Sequence, residues 1–195
     1  MTRVLVVFEP VAAAATGPER VAEQSAAARR ALARAAAELG LAPLGLSKSE
    51  LGAPRVDRPG WWVSLAHTRT LALAVLADRP VGADLEDLRS QRLTKLRRFF
   101  EPDELARLGS FEPRDLAELW SAKEAVLKLA GAGLEALGQV VLVGRESGKL
   151  VIAHRTVRRS VLHRELDSHL VALCVDADVF DVEWRDAGMR VEERP

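Results

Sequence analysis

Apolar and polar positions follow two periods along this chain. Val4 to Phe8 is a short apolar run ended by Pro10 and predicts an opening strand. Val21, Ala28, Leu32, Ala35 and Leu39 then recur at helical spacing. Gly17-Pro18 supplies the cap and first-turn proline of that helix, and Gly40 is placed to close it in the left-handed conformation. Arg30 and Arg34 are expected on its outer face. Gly52-Ala53-Pro54 and Pro59-Gly60 punctuate a loop, after which Trp61 to Leu65, Leu71 to Leu76 and Val81 to Glu86 read as three strands. Leu93 to Phe100, Pro102 to Leu108 and Pro113 to Ala130 predict helices. Strands return at Val140 to Val143, Leu150 to Ala153, Val161 to Leu166, Leu170 to Val175 and Val179 to Trp184. This order predicts an α+β fold of two similar halves, 1–78 and 79–195, with no low-complexity linker at the boundary near Asp78 to Pro80.

Composition narrows the function. Almost half of the 195 residues are apolar, enough for a continuous core. Twenty-eight basic and twenty-eight acidic side chains balance. That removes the overall positive field of a nucleic-acid binder, so no DNA or RNA partner is expected. The single cysteine, Cys174, lies in the apolar run Val171 to Val175 and reads as a core thiol, leaving no disulfide framework. The apolar run near the N-terminus is too short for a signal peptide or membrane helix, which predicts a cytoplasmic protein with no membrane partner.

The candidate chemistry is acidic. Asp84 and Glu86 lie two residues apart in strand-like sequence, so both emerge on one face while Val81, Ala83 and Leu85 point to the other. A hard divalent cation such as Mg²⁺ relieves the repulsion of two such carboxylates, although the pair alone also fits two solvated acids at a strand end. On the helix Pro113 to Ala130, the apolar stripe of Leu116, Leu119, Val126 and Leu129 leaves Glu124 and Lys128 together on another side, with Lys123 at the edge of the stripe. An i, i+4 surface pair accounts for Glu124 and Lys128 alone. A lysine beside the stripe, Trp120 one turn before Glu124 and the Gly131-Ala132-Gly133 stop together suggest a site for a phosphorylated ligand.

Four collinear segments between Trp62 and Gly133 carry a resemblance. Val63 to Thr68 resembles a histidine-bearing strand, Val81-Gly82-Ala83-Asp84-Leu85-Glu86 a G-x-D-x-E strand, Arg98-Phe99-Phe100 with downstream Glu104 an R-F-F segment, and Trp120 to Lys128 a W-x-x-K-E-A-x-x-K helix. In this order they resemble the 4'-phosphopantetheinyl transferase superfamily, and within it the larger, monomeric type that serves secondary-metabolite synthases. The resemblance implies a pseudo-duplicated fold with the active site between its halves, coenzyme A as co-substrate, Mg²⁺ as cofactor and an apo acyl or peptidyl carrier protein as partner. It implies that Asp84, Glu86 and Glu124 hold Mg²⁺ against the coenzyme A pyrophosphate. Lys123 and Lys128 would touch phosphate oxygens, His67 would bind near the 3'-phosphate, and Glu124 or a metal-held water would take the proton of the attacking serine.

Departures from the pattern shift some of these roles. Ala66 replaces the usual serine before His67, leaving Thr68 to take over a phosphate contact. Gly52-Ala53-Pro54 lacks the lysine of a G-K-P loop, so Arg55 is the candidate that reaches instead, and Arg30 is the candidate for the nucleotide clamp. The basic stretch Arg92 to Arg98 reads either as a solvated helix face or as a surface that steers an acidic carrier protein. Other readings of the acids are a magnesium-dependent nuclease or nucleotide hydrolase, and a non-catalytic module that binds a carrier protein or coenzyme A.

Overall fold

The run Val4–Phe8 is buried at every position, and its strand, β1 (Thr2–Pro10), is paired along both edges. A computed structural model of the chain describes residues 1–14 and 16–185. The last ten positions of the second expected half, 186–195, lie outside the described residues. Helix α1 (Gly17–Glu38) follows β1. Its N-cap is Thr16, one residue earlier than the sequence suggests: the Thr16 hydroxyl accepts the Glu19 N–H at 3.3 Å and the Glu19 carboxylate accepts the Thr16 N–H at 3.0 Å. The buried face is Ala27, Ala28, Ala31, Leu32, Ala35 and Ala36, while Val21 is 60% exposed, so the inward stripe begins a turn later than expected. Gly40 ends the helix at φ 68°.

A short hairpin, β2 (Leu46–Lys48) and β3 (Pro54–Val56), occupies the segment read as a loop. It leads into β4 (Trp62–His67) and β5 (Leu71–Ala77). After them come β6 (Val81–Asp87), a 3₁₀ segment over Gln91–Phe99 where a helix was expected, α2 (Pro102–Leu108), α3 (Pro113–Ala130) and a second 3₁₀ segment over Leu134–Gln139. Five strands end the described chain: β7 (Val140–Glu146), β8 (Lys149–His154), β9 (Val157–Leu166), β10 (His169–Val175) and β11 (Phe180–Arg185).

The elements form two compact units, one of Met1–Val81 with the segment that returns at Val175, the other of Gly82–Cys174. In the first, a sheet of order β11-β1-β5-β4 carries α1 on one face. The final strand was expected with the second half. It joins the first unit instead, because β11 pairs in parallel with β1 from Thr2↔Phe180 to Val7↔Arg185.

In the second unit the sheet runs β6-β10-β9-β8-β7. Helix α3 lays Leu116, Leu119, Val126 and Leu127 onto Leu142, Leu150, Ile152 and Val161 in one continuous core that also contains Cys174. Each of these leucines is at most 2% exposed and contributes about 2 kcal/mol by burial. A polar pin supplements that core. Glu118 of α3 accepts both Arg145 guanidinium nitrogens at 3.0 Å and lies beside His163 of β9. Burial pushes the His163 imidazole down to about 4, so it is neutral at physiological pH.

Candidate metal and phosphate site

Strand β6 presents Gly82, Asp84 and Glu86 on one face because side chains alternate along an extended chain. What brings this face to α3 is Gly82. A Cβ built at that position would lie 1.9 Å from the Ala125 carbonyl oxygen and 2.4 Å from the Leu129 nitrogen, so strand and helix backbones pack closer than any side chain allows. Asp84 is the next residue along that face, and Glu124 and Lys128 each immediately precede a residue that Gly82 touches. Asp84, Glu86 and Glu124 consequently each offer an oxygen within 4.8 Å of the others.

These carboxylates are withdrawn from water, with side-chain exposures of 7% for Asp84, 2% for Glu86 and 19% for Glu124. Two cations face them. Lys128 Nζ lies 2.6 Å from Asp84 Oδ1 and 3.7 Å from Glu124 Oε2, and Arg92 Nη2 reaches the two Glu86 oxygens at 2.7 and 2.6 Å. Burial, then the charges of Asp84 and Glu86 against a partial offset by Lys128, pushes the Glu124 carboxyl up to about 7. Burial and the Asp84 charge raise Glu86 as well, opposed by Arg92. Burial works against the Lys128 ammonium, yet Asp84 and Glu124 together hold its pKa above the ordinary lysine range.

The donor set fits a hard divalent cation. All three donors are carboxylate oxygens, the ligand type a hard cation takes, and they lie within 4.8 Å of one another. Asp84 Oδ2 is buried without a hydrogen-bond donor, which leaves a lone pair for which a cation is the natural partner.

Lys123 is oriented differently. It is 2% exposed, and its ammonium lies 2.9 Å from both Glu104 oxygens. The same carboxylate accepts the Leu142 N–H at 2.9 Å and the Glu101 N–H at 3.2 Å, so the pair ties α2, α3 and β7 together. Glu104 was visible as part of the R-F-F segment, but nothing in its spacing shows that Lys123 is its partner. Trp120, 8% exposed, packs on Phe99 and Phe100 with ring centroids 5.2 and 6.5 Å away.

The remaining candidates belong to the first unit. His67 ends β4 and is exposed, and Ala66 beside it is 5% exposed. The Thr68 hydroxyl accepts the Leu71 N–H at 3.1 Å and so helps close the turn between β4 and β5. Arg55 is exposed on β3. Arg30 reaches Glu9 at 3.2 Å and Glu23 at 2.8 Å. The structure therefore brings Asp84, Glu86, Glu124 and Lys128 together, engages Lys123 in the core, and commits Arg30 to acids of its own unit.

A β-strand acid pair thus faces a helical Glu and Lys over a backbone contact that only glycine permits, an arrangement that could hold a divalent cation. Residues 80–174, nearly all of the second unit, match the model of the 4'-phosphopantetheinyl transferase superfamily, and this segment belongs to that superfamily. The chain is 31% identical over 102 residues to the 4'-phosphopantetheinyl transferase of Bacillus subtilis, covering 49% of this chain and 46% of the relative. It is 36% identical over 89 residues to the 4'-phosphopantetheinyl transferase psf-1 of Bacillus pumilus, covering 43% and 38%. With the 4'-phosphopantetheinyl transferase HetI of Nostoc sp. it shares 35% identity over 108 residues, 51% of this chain and 46% of that one. The chain thus spans about half or less of the length of these relatives.

Proposed function

We propose that this chain is a Mg²⁺-dependent 4'-phosphopantetheinyl transferase, which moves the phosphopantetheine arm of coenzyme A onto a serine of an apo acyl or peptidyl carrier protein and releases 3',5'-ADP. The observation that carries this reading is the convergence of Asp84, Glu86 and Glu124 with Lys128, inside the segment that matches the superfamily. When bound, the cation supplies Lewis acidity toward the diphosphate. Asp84, Glu86 and Glu124 hold it, and Asp84 Oδ2 has no other partner to give up. Lys128 places a positive charge where the leaving phosphate gains negative charge. The serine oxygen bonds to the β-phosphorus as the bond from that phosphorus to the bridging oxygen breaks, and the serine proton passes to a Glu124 oxygen or to a water beside it. His67 and Arg55, both exposed, are proposed contacts for the 3'-phosphate. Lys123 acts from within the core as a positioning residue that fixes α3 through Glu104.

The test is incubation of the chain with an apo carrier protein, coenzyme A and Mg²⁺, followed by mass spectrometry of the carrier. A gain equal to one phosphopantetheine arm, absent when chelator is added, is expected. A carrier of unchanged mass beside a folded chain would overturn the assignment in favour of a module that only binds.

A further inference from the structure

Arg92 has no role in the reaction as described, yet it makes the closest contact to Glu86. It sits in the first turn of the 3₁₀ segment Gln91–Phe99, where the Ser90 hydroxyl accepts its backbone N–H at 3.4 Å. One guanidinium nitrogen, Nη2, spans both Glu86 oxygens at 2.7 and 2.6 Å. The exposures of the two partners differ widely: 2% for the Glu86 side chain and 62% for that of Arg92. A buried carboxylate is therefore held from the solvent side by a side chain with ample room to leave. An arginine cannot relieve the competition by losing its proton. Glu86 thus has two claimants, the guanidinium and a cation shared with Asp84 and Glu124.

We propose that Arg92 is the resident counter-charge of this site: it occupies Glu86 before a cation binds, yields that carboxylate to the cation, and then turns its guanidinium to the diphosphate of the incoming ligand. The charge count supports the exchange. With all three carboxylates ionised, as a bound cation requires, Asp84, Glu86 and Glu124 against Lys128 and Arg92 leave one net negative charge for that cation to meet. With that cation bound the site carries one net positive charge, the sign a diphosphate needs. Without Arg92 the loaded site would be neutral. A planar fork of donors also suits phosphate oxygens as well as it suits a carboxylate. The side chain therefore opposes cation binding and favours anion binding, two effects of opposite sign from one residue.

The proposal rests on the reading of the three acids as a cation site, and the experiment separates the two. Calorimetry of the free chain with Mg²⁺ alone, then with coenzyme A at saturating Mg²⁺, is run on wild type, Arg92→Gln, Arg92→Lys and Asp84→Ala. Arg92→Gln is expected to bind Mg²⁺ roughly three- to tenfold more tightly and coenzyme A weaker by a similar factor. Arg92→Lys, which keeps the charge but loses the fork, should fall between wild type and Arg92→Gln on both counts. Unchanged or weakened Mg²⁺ binding in Arg92→Gln, or unchanged coenzyme A affinity, overturns the role of Arg92 provided Asp84→Ala has lost the metal. Wild-type Mg²⁺ binding by Asp84→Ala overturns the cation site itself, and with it the proposal.

Discussion

A single methyl group placed on Gly82 tests the architecture of the site more directly than removing any of its charges. The atoms that an added Cβ meets, the Ala125 oxygen at 1.9 Å and the Leu129 nitrogen and Cα at 2.4 and 3.0 Å, are all backbone of α3, so no rotamer change relieves the clash. Because real Cβ atoms essentially never approach closer than 3.0 Å, β6 and α3 must separate by on the order of 1 Å. Overpacking of this kind costs about 1 to 3 kcal/mol. The smaller entropic gain of replacing glycine by alanine, about 0.4 to 1 kcal/mol, does not offset it. For a chain of this length the net loss lowers Tm by roughly 5 °C.

The effect on activity should be much larger than the effect on stability. Asp84 rides on β6 and Glu124 and Lys128 ride on α3, so a 1 Å separation opens the Lys128 to Asp84 contact of 2.6 Å and spreads the three carboxylates together. Mg²⁺ tolerates little distortion of its octahedron. A misplacement of this size costs on the order of a hundredfold in rate. Gly82→Ala is expected to load an apo carrier about two orders of magnitude more slowly than wild type at a temperature well below its Tm, and to need more Mg²⁺ to do so. Gly138→Ala is the control, since nothing lies within 4 Å of an added Cβ there and both rate and Tm should be unchanged. Wild-type loading and Mg²⁺ demand in Gly82→Ala would show that close packing of β6 on α3 does not set the geometry of the acids.

Two further substitutions probe the charges. Glu124 has a carboxyl raised to about 7 by burial and by Asp84 and Glu86, against Lys128, so its ionisation costs the metal-free chain nothing below about pH 4.5 and a growing amount as pH rises through 7. Glu124→Gln should abolish carrier loading, and in chelator its Tm should exceed that of wild type by more at pH 8 than at pH 5; equal differences at the two values would remove the electrostatic argument. Lys123→Met leaves Glu104 buried without its cation, a loss of about 3 to 5 kcal/mol that should lower Tm by roughly 10 °C in thermal denaturation. A Tm within a degree or two of wild type would place the ammonium somewhere other than against Glu104.

Elements bounded by strong local signals were legible in the sequence. The α3 limits follow from Pro113 in the first turn and from Gly131, whose φ of 67° ends the helix. Where local signals are weak, structure and sequence part. The inward face of α1 is mostly alanine, a residue so close to neutral that its periodicity does not reveal the buried side, and Val21, which helical spacing assigns to the stripe, is 60% exposed. Leu93 and Leu96, three apart and both buried, fit a 3₁₀ turn as well as an α-helix. The three-residue strands β2 and β3 are too short to show alternation. That β11 belongs beside β1 depends on a pairing across most of the chain, which no local pattern encodes.

The two lysines of the W-x-x-K-E-A-x-x-K helix show where motif reading and helical geometry diverge. Glu124 and Lys128 are four residues apart, about 40° around the axis, and so share the face that meets β6. Lys123 and Lys128 are five apart, which turns them about 140° away from each other, onto different faces of the helix. The two also differ in burial. Lys128 keeps 30% of its side chain exposed among the carboxylates, while Lys123 keeps 3% and is spent on Glu104. Among the described residues, Lys128 is therefore held between two of the acids while Arg92 meets Glu86 from the solvent side with 62% of its side chain exposed, and the response of metal binding to Arg92→Gln follows from that difference in confinement.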